Sequence, residues 1–135
     1  MLKEYARHIK FPAAVFLFHS YLSLVFDAYE KILWLDTVMH FIGGVAIACF
    51  ITQTVVQLDK NSILDAGSSI SFFLLSIGLI ATSTVFWEFA EFITDRCFNL
   101  NTQVSVTNVM KDQFLGMIGG LTYLVLSRPH RQLVR

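Results

Sequence analysis

The chain has 135 residues, of which 55% are hydrophobic and only 15% charged, with a mean hydropathy of +0.60. Soluble domains carry about 25% charged residues, so an ordinary cytosolic domain is excluded. Ten basic residues balance ten acidic ones, and this neutrality removes any case for nucleic acid as a partner.

Four apolar stretches, each long enough for a bilayer helix, account for the excess. The first runs over about 11–29, after Lys3, Arg7 and Lys10, with Pro12 in its opening turn. A basic lead-in and an apolar run also describe a secretory signal. Here the run is long, lacks an A-x-A-like exit and contains His19 and Asp27, so it reads as a retained helix. The second, about 35–57, opens with Asp36 and His40 beside the interfacial anchor Trp34. Residues 58–68 form a polar loop. The third stretch, about 69–93, ends in Trp87-Glu88-Phe89-Ala90-Glu91, and the polar connection 99–103 leads to a fourth over about 108–127, just before Arg128-Pro129. Twenty residues rise about 30 Å, enough to cross the hydrocarbon core. The expected fold is therefore all-α: a single transmembrane domain over 1–135, built as an antiparallel four-helix bundle. Cys49 and Cys97 fall at different depths, which argues against a disulfide.

The basic residues orient the bundle. Lys3, Arg7, Lys10, Lys60, Arg128, Arg131 and Arg135 fall on the side of the termini, against Lys31, Arg96 and Lys111 on the other. The positive-inside rule then makes both termini cytoplasmic. The acids divide the opposite way, with Asp27, Glu30, Asp36, Glu88, Glu91, Asp95 and Asp112 at the outer ends.

Helical spacing puts these acids on defined faces. Asp36 and His40 are four apart, Glu88, Glu91 and Asp95 follow at three and four, and His19, Ser23 and Asp27 repeat at four. Asp112, Gly116 and Gly120 do the same on the last helix. In an antiparallel bundle all four polar ends meet at one level below the outer interface. A charge at a bilayer centre costs roughly 2.5–3.5 kcal/mol on insertion scales, and the nearby cations are too few to pair every carboxylate. Carboxylates with an imidazole suit Zn²⁺, Mn²⁺ or Fe²⁺, and carboxylates with water suit Mg²⁺ or Ca²⁺. The expected metal ligands are Asp36, His40, Glu88 and Asp112, with Glu88 and Glu91 as catalytic acid–base candidates. His19, Asp27, Asn108 and Lys111 are expected as substrate-binding or relay residues. Plainer readings compete. Asp36 and Asp112 complement helix dipoles, Glu30 and Asp95 are solvated, and His19 is a neutral histidine bonded between helices. The small-residue steps Gly44-x-x-x-Ala48 and Gly116-x-x-x-Gly120 let helices approach closely.

Asp36-x-x-x-His40-x-x-Gly43-Gly44 and Asp112-x-x-x-Gly116-x-x-Gly119-Gly120 share one spacing, as two pseudo-symmetric helical hairpins would. The order Asp36-x-x-x-His40-Phe41, Phe86-Trp87-Glu88-x-x-Glu91 and Asp112-x-x-x-x-x-x-Gly119 resembles the YjdF-type bacterial inner-membrane proteins, and more distantly the VanZ-like small membrane proteins. The resemblance spans about 36–123 and implies a multi-pass protein of the bacterial inner (plasma) membrane, without an activity. Where that family reads Asp-Thr-x-x-Asp, this chain has Asn108-Val109-Met110-Lys111-Asp112, so Asn108 replaces an aspartate and Lys111 adds a positive charge.

Three functions follow as expectations. The first is binding of a divalent cation or polar substrate, extending to a metal-assisted enzyme on a lipid-linked or headgroup substrate. The second is an ion or proton carrier using the acids and His19. The third is a non-catalytic accessory or assembly protein. Beside the lipid bilayer, a homodimer or a membrane-protein partner is compatible with the small-residue faces.

Overall fold

A computed structural model describes residues 6–26, 28–100 and 103–129. The described residues form helices and connections with no strand: a turn of helix at 6–8, then α1 (Lys10–Phe26), α2 (Ala28–Lys31), α3 (Leu33–Lys60), α4 (Ser69–Phe98) and α5 (Val106–Ser127). Among them, three segments are long and apolar enough to cross a membrane, Ala6–Phe26, Trp34–Lys60 and Ser69–Phe98. The 22 residues of α5 rise roughly 33 Å, but Asn108, Lys111, Asp112 and Gln113 make its first turns polar.

The ends differ from the expected ones for local reasons. α1 stops at Phe26, whose carbonyl accepts from Lys31 Nζ at 2.6 Å, a cation placed at the negative end of the helix. α4 runs on to Phe98 and is closed by Asn99 in the left-handed conformation (φ 55°). It begins where the Ser68 hydroxyl accepts from Ser71 N–H, after Gly67 at φ +62°. Ser105 does the same for Asn108 N–H, so α5 starts before Asn108.

Each helix turns one narrow stripe inward. On α4 the buried residues are Phe72, Ser76, Ile80, Thr84, Glu88 and Glu91, a run of fours and a three. α1 buries Val15, His19 and Ser23, and α5 buries Asp112, Gly116, Gly119, Gly120 and Leu124. Outward faces carry exposed Phe18, Leu74, Phe86, Phe114 and Leu126, as a lipid-facing surface requires. Hydroxyls within the helices bond their own backbone: Thr82, Ser83, Thr94 and Thr122 each donate to the carbonyl four residues back at 2.7–2.9 Å.

The closest contact joins α3 to α5. A Cβ on Gly44 would overlap the Gly116 carbonyl, and one on Gly119 would overlap that of Phe41. The matched positions of the two sequence halves meet along it. Lys111 and Asp112 lie beside Asp36, a Gly116 Cβ would lie 3.7 Å from His40 O, and a Gly120 Cβ 3.4 Å from Gly44 O. α4 packs over this seam, with Thr84 against Gly116 and Ile80 against Gly120. An apolar cluster of Ala48, Ile51, Val55, Phe72, Ile80 and Leu124 fills one half of the bundle. Asp36, Glu88, Glu91 and Asp112, with His19 and His40, gather apart from it.

Candidate functional site

His40 is the hub. It sits two turns into α3, 5% exposed, with its ring between three helices. Its Nε2 lies 3.3 Å from Asp36 Oδ1, one turn back on the same helix, and 3.5 Å from Glu91 Oε1 of α4. Its Nδ1 lies 3.7 Å from Glu88 Oε1. Two overlapping triads result, Asp36–His40–Asp112 and His40–Glu88–Glu91, each offering ligand atoms within 4.8 Å of one another.

Glu91 is held from two more sides. Trp87, one turn back on α4, donates its indole N–H to Glu91 Oε1 at 2.9 Å, and His19 Nε2 of α1 lies 3.0 Å from the same oxygen. The Tyr29 hydroxyl lies 2.7 Å from His19 Nδ1. An ionised Glu91 oxygen only accepts, so His19 Nε2 is the donor of that pair, and in a neutral imidazole Nδ1 then accepts from Tyr29. Burial, followed by the charges of Asp36 and Glu91, pushes the Tyr29 phenol above its ordinary range, which keeps that hydroxyl a donor. Trp87 also packs edge-on to His19, with centroids 5.1 Å apart, and covers Gly43, where a Cβ would lie 3.2 Å from the indole.

Glu88 Oε2 accepts from Gln103 Nε2 at 3.0 Å, and the same amide donates to the Glu88 carbonyl at 2.8 Å. Around Asp112, Asn108 Nδ2 donates to Oδ2, and Lys111 Nζ lies 3.2 Å from Oδ1 and 3.6 Å from Asp36 Oδ2. Among the described residues, Lys111 is the one lysine or arginine within ion-pair range of these four carboxylates. Three buried polar atoms in the cluster lack hydrogen-bond geometry, His40 Nε2, Glu88 Oε1 and Asp112 Oδ1, although the first lies 3.3 Å from Asp36 Oδ1 and the last 3.2 Å from Lys111 Nζ. Their residues are 5%, 4% and 1% exposed, and they come from three helices. A crevice of about 20 Å³ beside His19, Ser23 and Glu91 has room for a single water.

The structure thus brings Asp36, His40, Glu88, Glu91 and Asp112 together, with His19, Asn108 and Lys111 in direct contact with them. Asp27 lies outside the described residues. Asp36 lies in the first turn of α3, where it complements the helix dipole, and it also faces His40; the helix itself starts after Ile32 without a side-chain cap. Asp95 accepts from Gln103 N–H at 3.0 Å rather than standing free in solvent. Sequence reasoning missed Tyr29, Trp87 and Gln103 as partners. The four-residue step from Trp87 to Glu91 was a usable signal; the connections carrying Tyr29 and Gln103 offered none. Cys49 and Cys97 are both free thiols.

Comparison with known proteins agrees with a membrane protein. No solved structure matches the chain. A Thermotoga maritima protein described only as uncharacterized is 32% identical over 111 residues, covering 82% of this chain and 55% of the relative, so the chain spans about half that relative's length. Residues 6–132 match the family described as predicted membrane protein DUF2238, consistent with the YjdF-type resemblance. With that match reaching from before α1 to beyond α5, the chain belongs to the DUF2238 family of predicted membrane proteins.

Proposed function

We propose that this chain is a divalent-cation-binding protein of the bacterial inner membrane, with the ion held where His40, Glu88 and Glu91 converge. Its one transmembrane domain crosses the bilayer four times, up and down in turn, with both termini cytoplasmic and the carboxylate cluster below the outer surface. One observation carries the reading: His40, Glu88 and Glu91, each under a tenth exposed, bring ligand atoms within 4.8 Å of one another, and the buried Glu88 Oε1 among them makes no hydrogen bond. Leaving such an atom unsatisfied costs about 1–3 kcal/mol, more when charged, and a cation removes that cost.

Charge decides between the two triads. Lys111 already faces Asp36 and Asp112, whereas no lysine or arginine among the described residues faces Glu88 or Glu91. The His40–Glu88–Glu91 triad is the one that lacks a counter-charge. One imidazole and two carboxylates suit Zn²⁺, Mn²⁺ or Fe²⁺, and neighbouring polar groups orient them as outer partners do in metal sites. Trp87 and His19 fix Glu91, Gln103 fixes Glu88, and Asp36 fixes the His40 ring. A bound ion would supply Lewis-acid activation of water or of a phosphoryl oxygen, which suits hydrolysis of a lipid-linked or headgroup substrate. Glu88, with one oxygen anchored and one unbonded, is the residue placed to take a proton.

Metal content of detergent-purified protein tests the reading. After supplementation with Mn²⁺ or Zn²⁺ and removal of loose ions, elemental analysis should find about one equivalent per chain, lost in Glu88→Gln/Glu91→Gln. Metal absent from the wild type, despite supplementation, overturns it.

A second reading rests on Lys111, Asn108 and Gln103, which satisfy Asp36, Asp112 and Glu88 in part. On that reading the cluster is structural glue for an accessory membrane protein. It expects the same variants to lower the melting temperature with no metal in any sample.

A further inference from the structure

At the opposite end of the bundle from the carboxylates lies a second polar recess, of about 270 Å³, between the turn at 6–8, the last turns of α3 and the end of α5. Its lining includes Arg7, His8, Gln53, Gln57, Lys60 and Tyr123, and no acidic side chain. Among the described residues, Arg7 and Lys60 have no ion-pair partner. Asp59, beside Lys60 in sequence, spends Oδ1 on the Ala66 N–H, and Glu4, three residues before Arg7, lies outside the described residues. Lys60 in the last turn of α3 has an ordinary role in complementing the helix dipole, but that leaves Arg7, on another segment, unexplained.

Two full positive charges, an imidazole, two amides and a phenol surround one cavity, with no acid in its lining among the described residues, and of these groups Gln53 Nε2 already donates to Cys49 Sγ. A donor lining of this kind suits an oxyanion. Guanidinium and ammonium groups bind phosphate oxygens well, the first by its planar fork and the second as a point charge. The recess falls just below the ~300–1,000 Å³ of pockets for drug-sized ligands, so it suits a headgroup better than a large ligand. It also lies at the ends of helices, since Gln57 and Lys60 close α3 and Tyr123 is in the last turns of α5. Basic pockets between spans at this level attract anionic headgroups.

We propose that this recess binds a phosphate-bearing anion, held by Arg7 and Lys60. The site is separate from the cation cluster and does not depend on it. The sources of such an anion are a phospholipid headgroup and a free phosphate.

Native mass spectrometry and thermal melting of the full chain in neutral detergent test this, with phosphatidylglycerol, phosphatidylcholine and inorganic phosphate as probes. Phosphatidylglycerol should stay bound and raise the melting temperature, and phosphatidylcholine should do neither. Arg7→Gln/Lys60→Gln should weaken phosphatidylglycerol binding by about tenfold or more. Lys31→Gln, at the other end of the bundle, should leave it unchanged. Inorganic phosphate matching the lipid would identify a free phosphate as sufficient, and binding of the lipid alone would identify the headgroup within its bilayer. Equal retention of phosphatidylcholine and phosphatidylglycerol with no response to phosphate overturns the proposal, as does undiminished binding by a folded Arg7→Gln/Lys60→Gln.

Discussion

Trp87 serves the cluster with both its ring and its N–H. The ring covers Gly43 and stands against His19, while the indole N–H fixes one oxygen of Glu91. Trp87→Phe keeps the ring and removes the donor. It should weaken divalent-ion binding on the order of tenfold, the usual effect of losing an outer-shell partner, measured by competition with a fluorescent chelator. Lys111 acts in the opposite sense. Its amine is a tethered cation between Asp36 and Asp112, and it is 42% exposed. Solvent therefore screens much of its attraction, and Lys111→Met should tighten divalent binding only a few-fold in the same assay. Weaker binding in Lys111→Met would mean that the amine orders the carboxylates rather than competing for them.

The α3–α5 seam can be tested with single methyl groups. Gly44→Ala drives a Cβ into the Gly116 carbonyl, a backbone atom that cannot turn aside, so the helices must separate. Overpacking of this kind costs typically 1–3 kcal/mol and should appear as a lower melting temperature in detergent. Gly78→Ala is the matched control, because a Cβ there meets nothing within 4 Å. It should be neutral or stabilising by up to about 1 kcal/mol, from helix propensity. The elements were legible in the sequence because apolar runs with inward stripes at three and four leave few alternatives to helix. So was the shared depth of Asp36, His40, Glu88 and Glu91, since Asp36-x-x-x-His40 and Glu88-x-x-Glu91 fix their faces. His19 was harder. Its place level with Glu91 follows from α1 stopping at Phe26, a stop that hydropathy does not mark. Tyr29 and Gln103 reach the cluster from connecting segments, whose path no periodicity specifies.

At the scale of the whole molecule, the proposed orientation predicts where each free thiol meets a reagent. Cys97 is exposed near the end of α4, on the side of the carboxylates, and Cys49 is half-buried within α3. A membrane-impermeant maleimide added to intact spheroplasts should label Cys97 and leave Cys49 untouched. Labelling of Cys97 only after lysis would invert the bundle. The distribution of satisfied and unsatisfied polar groups also bears on how the chain is made. The threonine and serine hydroxyls of α4 that bond their own backbone are settled as soon as a lone helix forms. Glu88 and Glu91 are not, because apart from the Trp87 indole their partners lie on other segments: His19 before them, His40 on α3, and Gln103, which is synthesised after them. A nascent α4 alone in lipid would carry two acids, Glu91 with only the Trp87 indole as donor and Glu88 without Gln103. Beside the earlier helices, His19 and His40 are already in place for these acids, and Glu88 gains its last partner only once Gln103 has followed α4 out.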